Sequence, residues 1–99
     1  MPDNPVRGRF LHFGFTWSSP PKTTSLEPIF DSALDWIRYS PNCWILWTTT
    51  DVNAWNMRLK PHLKAQDMVI IAEINFAEAG KTFTGMQEKW VWEWVQKKR

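Results

Sequence analysis

The residues predict an α+β domain, and three stretches carry that expectation. In residues 9–17, Leu11, Phe13, Phe15 and Trp17 alternate with His12, Gly14 and Thr16, the period of a strand with one buried face. Asp51 stands just before Val52, Trp55 and Leu59 at helical spacing, where a carboxylate caps the free amides of a first turn. Residues 68–74, Met-Val-Ile-Ile-Ala-Glu-Ile, are nearly continuous in apolar character, which predicts a strand lying away from the sheet edge.

The remaining elements fall between these. Residues 1–8 hold two prolines, a glycine and no apolar period, so they read as a flexible leader, with order beginning near Arg9. Ser18-Ser19-Pro20-Pro21 breaks the first strand, and Ser25 is placed to cap a helix with Leu26, Ile29, Phe30, Ala33 and Leu34 inward; Pro28 falls in its first turn, where proline is tolerated. Residues 35–50 fit either a continuing helix through Ile37 or a hairpin. The hairpin is preferred, with residues 36–39 as one arm, Ser40-Pro41-Asn42 as the turn and the β-branched and aromatic residues 43–49 as the other arm.

The helix opened by Asp51 should end around Lys60-Pro61, because proline disfavours helical geometry in the residue before it. Residues 75–85 contain two glycines and no stable period, and read as a loop. In residues 86–99, Trp90, Trp92 and Trp94 alternate as in a strand. Glu88 near the start and Lys97-Lys98-Arg99 at the end complement a helix dipole, which favours helix. Strand, helix, strand, strand, helix, strand with an appended helix is the split βαβ order of a ferredoxin-like βαββαβ sandwich, one domain over residues 9–99.

Composition narrows the partners. A chain of 99 residues builds one core and buries only about 60–65% of its unfolded surface, so it needs large side chains or a partner. Eight tryptophans and six phenylalanines can fill that core with rings to spare, which predicts an aromatic surface patch for self-association or a ligand. Cys43 is the single cysteine, which excludes an internal disulfide and fits a reducing, cytoplasmic location. No apolar run reaches the roughly 18–20 residues of a membrane span, and the N-terminus lacks the pattern of a signal peptide. A net charge of +2 is far from the strongly basic balance of a dedicated nucleic-acid-binding domain.

The stretch Trp44-Ile45-Leu46-Trp47-Thr48, then Asp51, then Leu59-Lys60-Pro61-His62-Leu63, then residues 67–74 resembles small bacterial proteins similar to the small subunit of the CRISPR adaptation complex. That resemblance implies a dimeric ferredoxin-like family that includes metal-dependent endonucleases. In those relatives the first strand ends in a Tyr-Asp pair whose aspartates hold the metal between two subunits. The matching residues here are Phe15-Thr16, and a threonine hydroxyl is a poor ligand for a hard divalent cation. The resemblance therefore implies a homodimer in contact with nucleic acid or protein, with no metal at Thr16 and no cofactor.

Candidate residues each have a bland and a sharper reading. His12 lies opposite the Leu11 and Phe13 face and is a hydrogen-bonded sheet residue first, a proton carrier second; His62 suits a helix end. Cys43 reads as a small buried hydrophobe. Asp51 reads as a cap, Asp67 as a turn residue and Glu73 as a strand acid that must pair, with Arg9 or Arg38. These three are also the alternative acid sites if the chain is a metal-dependent ribonuclease or deoxyribonuclease. Trp36, Arg38 and Tyr39 sit together on one strand, a combination that grips bases or phosphates and equally suits a dimer edge. Trp90 and Trp94 share a helical face that docks on the sheet, leaving Trp92 for an outside contact, with Lys97 and Lys98 as cations nearby. The sequence thus favours a non-catalytic, tryptophan-rich dimeric adaptor binding through Trp36, Arg38, Tyr39, Trp92, Lys97 and Lys98. A nuclease and a mobile-element inhibitor of a host defence complex are the alternatives.

Overall fold

Alternation along the first strand sets the layout. Strand β1 is Arg9–Thr16, β2 Asp35–Ser40, β3 Cys43–Thr48 and β4 Met68–Ile74; helix α1 is Glu27–Phe30, α2 Val52–Leu59 and α3 Lys89–Lys98. The computed structural model describes residues 8–18, 23–74 and 89–98. Among these the four strands form one sheet in the order β2-β3-β1-β4. Every neighbouring pair is antiparallel. The α+β expectation holds at that level. Residues 1–7 of the leader and the loop expected at 75–85 lie outside the described residues.

Odd-numbered residues of β1 point to one face of the sheet. Leu11, Phe13 and Phe15 join Trp44 and Leu46 of β3 there, and are covered by Leu26 and Phe30 around α1 and by Trp55 and Leu59 of α2. Phe13 meets Phe30 edge-on at 5.4 Å and Trp55 at 5.8 Å, and Phe15 meets Trp44 at 5.3 Å. A fully buried ring removes about 150–250 Å² from water, worth about 4–6 kcal/mol before ordering costs, so this aromatic layer is the main stabilising term. Even-numbered Phe10 points to the other face, where it packs with Ile45 under Val91 and Val95 of α3. The described residues therefore form two apolar layers, one on each side of the sheet.

Local chemistry fixes the ends of the elements. Asp51 caps α2 as expected, its carboxylate accepting the Ala54 amide at 2.8 Å. Buried Thr48 receives the Trp55 indole N–H on Oγ1 at 3.3 Å, which keeps that core indole partnered. At the other end of β1, the Asp67 carboxylate accepts the Ser18 amide, the Ser18 hydroxyl and the Lys64 amide, each at 2.8 Å. Those three donors hold its carboxyl below the ordinary carboxylate range. Gly8 packs close to Trp47, and a Cβ there would overlap the indole ring, so a larger residue at the approach to β1 would force that ring to shift.

Three expectations need correction. Helix α1 is four residues long rather than reaching Leu34. Ser25 lies in a 3-10 turn, Thr23–Ser25, while Leu26 takes the cap position without a side-chain hydrogen bond. The cause is competition from the sheet, because the Leu34 amide donates to the Trp47 carbonyl at 2.9 Å and feeds the chain into β2. Leu34 consequently faces solvent. Strand β4 is an outer strand, not an interior one. Its apolar run has a different origin: Val69 and Ile71 pack on the core, whereas Met68 and Ile70 point to the opposite face and are exposed.

These two leucine and phenylalanine positions give a direct check. Phe30→Ala is expected to lower unfolding stability by about 3–5 kcal/mol through the cavity it leaves, and Leu34→Ala to stay within about 0.5 kcal/mol, both read from urea denaturation midpoints. Equal losses at the two positions would mean that α1 runs on through Leu34.

Candidate functional site

The sheet face beneath α3 is the part of the fold with side chains left to act. Register places Phe10, His12 and Gly14 of β1 beside Trp47, Ile45 and Cys43 of β3 on that face. On the other flank they lie beside Ile74, Ala72 and Ile70 of β4. Helix α3 covers one end, where Phe10, Ile45, Val91 and Val95 are buried and Ile37, Trp47 and Ile74 pack against them. Trp94 fixes the helix there by donating its indole N–H to Asp35 at 3.1 Å and by meeting the Phe10 ring at 5.8 Å.

Beyond that cover lie a polar cluster and an apolar strip. His12 Nε2 and the Tyr39 hydroxyl are hydrogen-bonded across β3, with ring centroids 5.6 Å apart. Burial lowers the His12 imidazole from its ordinary value, favouring the neutral ring. Burial, helped by the neighbouring Cys43 thiol, pushes the Tyr39 phenol up to about 12, so it stays protonated. The His12–Tyr39 pair is therefore uncharged near neutral pH, suited to hydrogen bonding rather than to charge-driven capture. On its β4 side, Met68 is 62% and Ile70 72% exposed, and Ala72 is exposed between Ile70 and Ile74.

The residues singled out from sequence are not brought together. A strand alternates its side chains, so Trp36 and Arg38 lie on one face and Tyr39 on the other. Trp36 packs against the α1–α2 core near Phe30 and donates its indole N–H to Asp31 at 2.8 Å. Arg38 folds back onto the Pro41 carbonyl at 3.2 and 2.6 Å, with its guanidinium 4.9 Å over the Trp44 ring. The trio is not one grip. Helix α3 also presents a different face from the one expected: Val91 and Val95 make its contact line, Trp92 and Trp94 flank that line against the sheet, and Trp90 is the exposed tryptophan. Val91 and Val95 are one turn apart, and positions 92 and 94 sit about 80° to either side of their midline, which explains the arrangement. Lys97 is exposed, and the Lys98 side chain lies outside the described part of the structure.

The acids are equally dispersed. Asp51 caps α2, Asp67 ties the start of β4 to Ser18, and Glu73 accepts from Arg9 at 3.4 Å, one of the two pairings expected for it. Among the described residues no three His, Cys, Asp or Glu side chains come together to hold a metal ion. Thr16, the residue expected in place of a metal-binding aspartate, is exposed at the end of β1 opposite Met68. His62 is exposed in the 3-10 turn after α2, and Cys43 is half-buried rather than buried. What sequence reading missed is the His12–Tyr39–Cys43 grouping. Its one available signal was that all three share a strand face once the hairpin register is drawn.

No known protein family, curated protein or solved structure matches the chain.

The lowered His12 value has a definite sign in stability. Its folded value lies below its unfolded one, so between the two the unfolded chain binds more protons and stability rises with pH. The contribution is complete above the unfolded value and is lost as pH falls towards the folded one. Urea midpoints taken from about pH 7 down to about pH 5 are expected to fall more steeply for the native chain than for His12→Gln. Parallel slopes for the two proteins would contradict a half-buried neutral imidazole.

Proposed function

We propose that the chain is a non-catalytic binding protein of ferredoxin-like arrangement, cytoplasmic, working as a homodimer and holding a protein partner on the uncovered half of its sheet. The observation that carries this reading is the exposure of Met68 and Ile70 where α3 stops covering the face. Contiguous apolar side chains left in water mark contact surfaces far more often than isolated ones do. The neutral His12–Tyr39 pair beside them offers hydrogen bonds for orientation without a desolvated charge. The βαββαβ element order supports the ferredoxin-like assignment, and the resemblance to the small subunit of the CRISPR adaptation complex supports the dimer.

Among the described residues, the arginines favour a protein partner over nucleic acid. Nucleic-acid affinity depends on cations free to neutralise phosphates. Arg9 is engaged with Glu73, Arg38 with the Pro41 carbonyl and Arg58 with the Ser32 hydroxyl and the Trp55 ring. A nuclease reading would need carboxylates that converge, whereas Asp51, Asp67 and Glu73 serve three separate structural roles.

The expected outcome is a particle of twice the chain mass in light scattering at the upper end of the micromolar range, with no Mg²⁺- or Mn²⁺-dependent cleavage of RNA or DNA and no change in Thr16→Ala. Cleavage that Glu73→Gln abolishes would overturn the non-catalytic reading. Tight nucleic-acid binding that weakens steeply with added salt would overturn the choice of a protein partner.

A further inference from the structure

The two outer strands of the sheet are built differently. β2 is blunted: it carries Asp35 and Arg38, its register to β3 is irregular between Arg38 and Ser40, and Arg38 folds across the turn to Pro41. Charges and bulges of this kind stop a strand edge from recruiting another chain. β4 has none of these devices. Its seven residues pair with β1 in unbroken register, its single charge, Glu73, is matched by Arg9, and among the described residues no strand lies along its outer side. Met68 and Ile70 on this strand are the exposed apolar side chains already noted.

We propose that two copies of this chain join edge to edge through β4, antiparallel, with the two-fold axis at Ile71, giving a continuous eight-stranded sheet. The proposal rests on the homodimer read in the preceding subsection and adds where and in what register the copies meet. Symmetry restricts the choices sharply. Residues directly opposite in an antiparallel pair point to the same face, so opposed β4 positions must be both even or both odd. Of the registers this leaves, the one centred on Ile71 uses the whole strand. It sets Ile70 against Ala72 of the partner subunit and Met68 against Ile74 of the partner subunit, on the face that α3 leaves uncovered. Glu73 falls opposite Val69 of the partner subunit, so no like charges meet.

An edge contact of this kind is small. One strand and its flanking side chains fall short of the roughly 1,200–2,000 Å² buried in stable complexes, so dissociation is expected on dilution through the micromolar range. An interface of this kind is tuned by few residues. Ile70→Lys changes a side chain already in water, so the fold tolerates it while the edge acquires a charge.

The test uses the full chain in a concentration series by analytical ultracentrifugation, with thermal melting to verify that each variant is folded. Ile70→Lys is expected to weaken the dimer at least about tenfold with an unchanged monomer fold, and Leu34→Lys, on an exposed site away from β4, to leave it unchanged. Register is read in a Cys43→Ser background: Ile70→Cys and Ala72→Cys pools are expected to form disulfide-linked dimers when mixed and not when oxidised separately. A dimer that survives Ile70→Lys and gives no cross-link in the mixture overturns the β4 interface while leaving the homodimer standing. Cross-linking by the Ile70→Cys pool alone overturns the Ile71 axis. A chain that stays monomeric through the whole series overturns the homodimer and this interface together.

Discussion

Both sides of the strand alternation are apolar in this chain, and each must be taken out of water by something. On one side the answer is complete. Leu11, Phe13, Phe15, Trp44 and Leu46 lie under α1 and α2, and the rings of Phe30 and Trp55 fill the space between the layers. On the other side the cover among the described residues is a ten-residue helix, about 15 Å long and 10–12 Å across. Four strands about 4.8 Å apart, each extending some 3.3 Å per residue, present roughly 14–19 Å by 20–25 Å. One short helix covers about half of that. The uncovered half is a geometric consequence of the fold, and its chemistry follows from which residues the register happens to leave there.

Those residues divide into a polar group and an apolar one. His12 and Tyr39 are hydrogen-bonded across β3 with Cys43 beside them, so the middle of the face already holds a neutral hydrogen-bonded pair. Next to it, β4 offers Met68, Ile70 and Ala72 with nothing polar among them. A charged ligand gains little on such a surface, whereas a second polypeptide gains both backbone pairing and side-chain contact. The described arginines agree with this. Arg9, Arg38 and Arg58 are spent on carboxylate, carbonyl, hydroxyl and ring partners of their own chain.

Much of the fold was legible in the residues because its signals are local. Period-two alternation marked β1, the Ser40-Pro41-Asn42 turn marked the hairpin, Asp51 marked the start of α2, and the apolar run marked β4 at its observed bounds. What failed was long-range. Leu34 has good helical spacing from Phe30, but the Trp47 carbonyl, thirteen residues on, draws its amide into the sheet. The apolar run of β4 reads as an interior strand because sequence cannot tell two covered faces from one covered and one waiting. Trp36, Arg38 and Tyr39 seemed adjacent only along the chain, since alternation separates them across the sheet. The His12–Tyr39 contact spans 27 positions and depends on the hairpin register. Trp90 and Trp94 share a helical face, which points Trp92 outward if that pair docks, but the valines dock instead, with one tryptophan on each flank.

Backbone hydrogen exchange reads the outer edge of β4 residue by residue. With that edge as the contact between two chains, amides within Met68–Ile74 slow down as protein concentration rises through the dimer transition, while those of Asp35–Ser40 on the opposite edge keep their rates. Exchange in β4 that is indifferent to concentration while the particle mass doubles would contradict that contact.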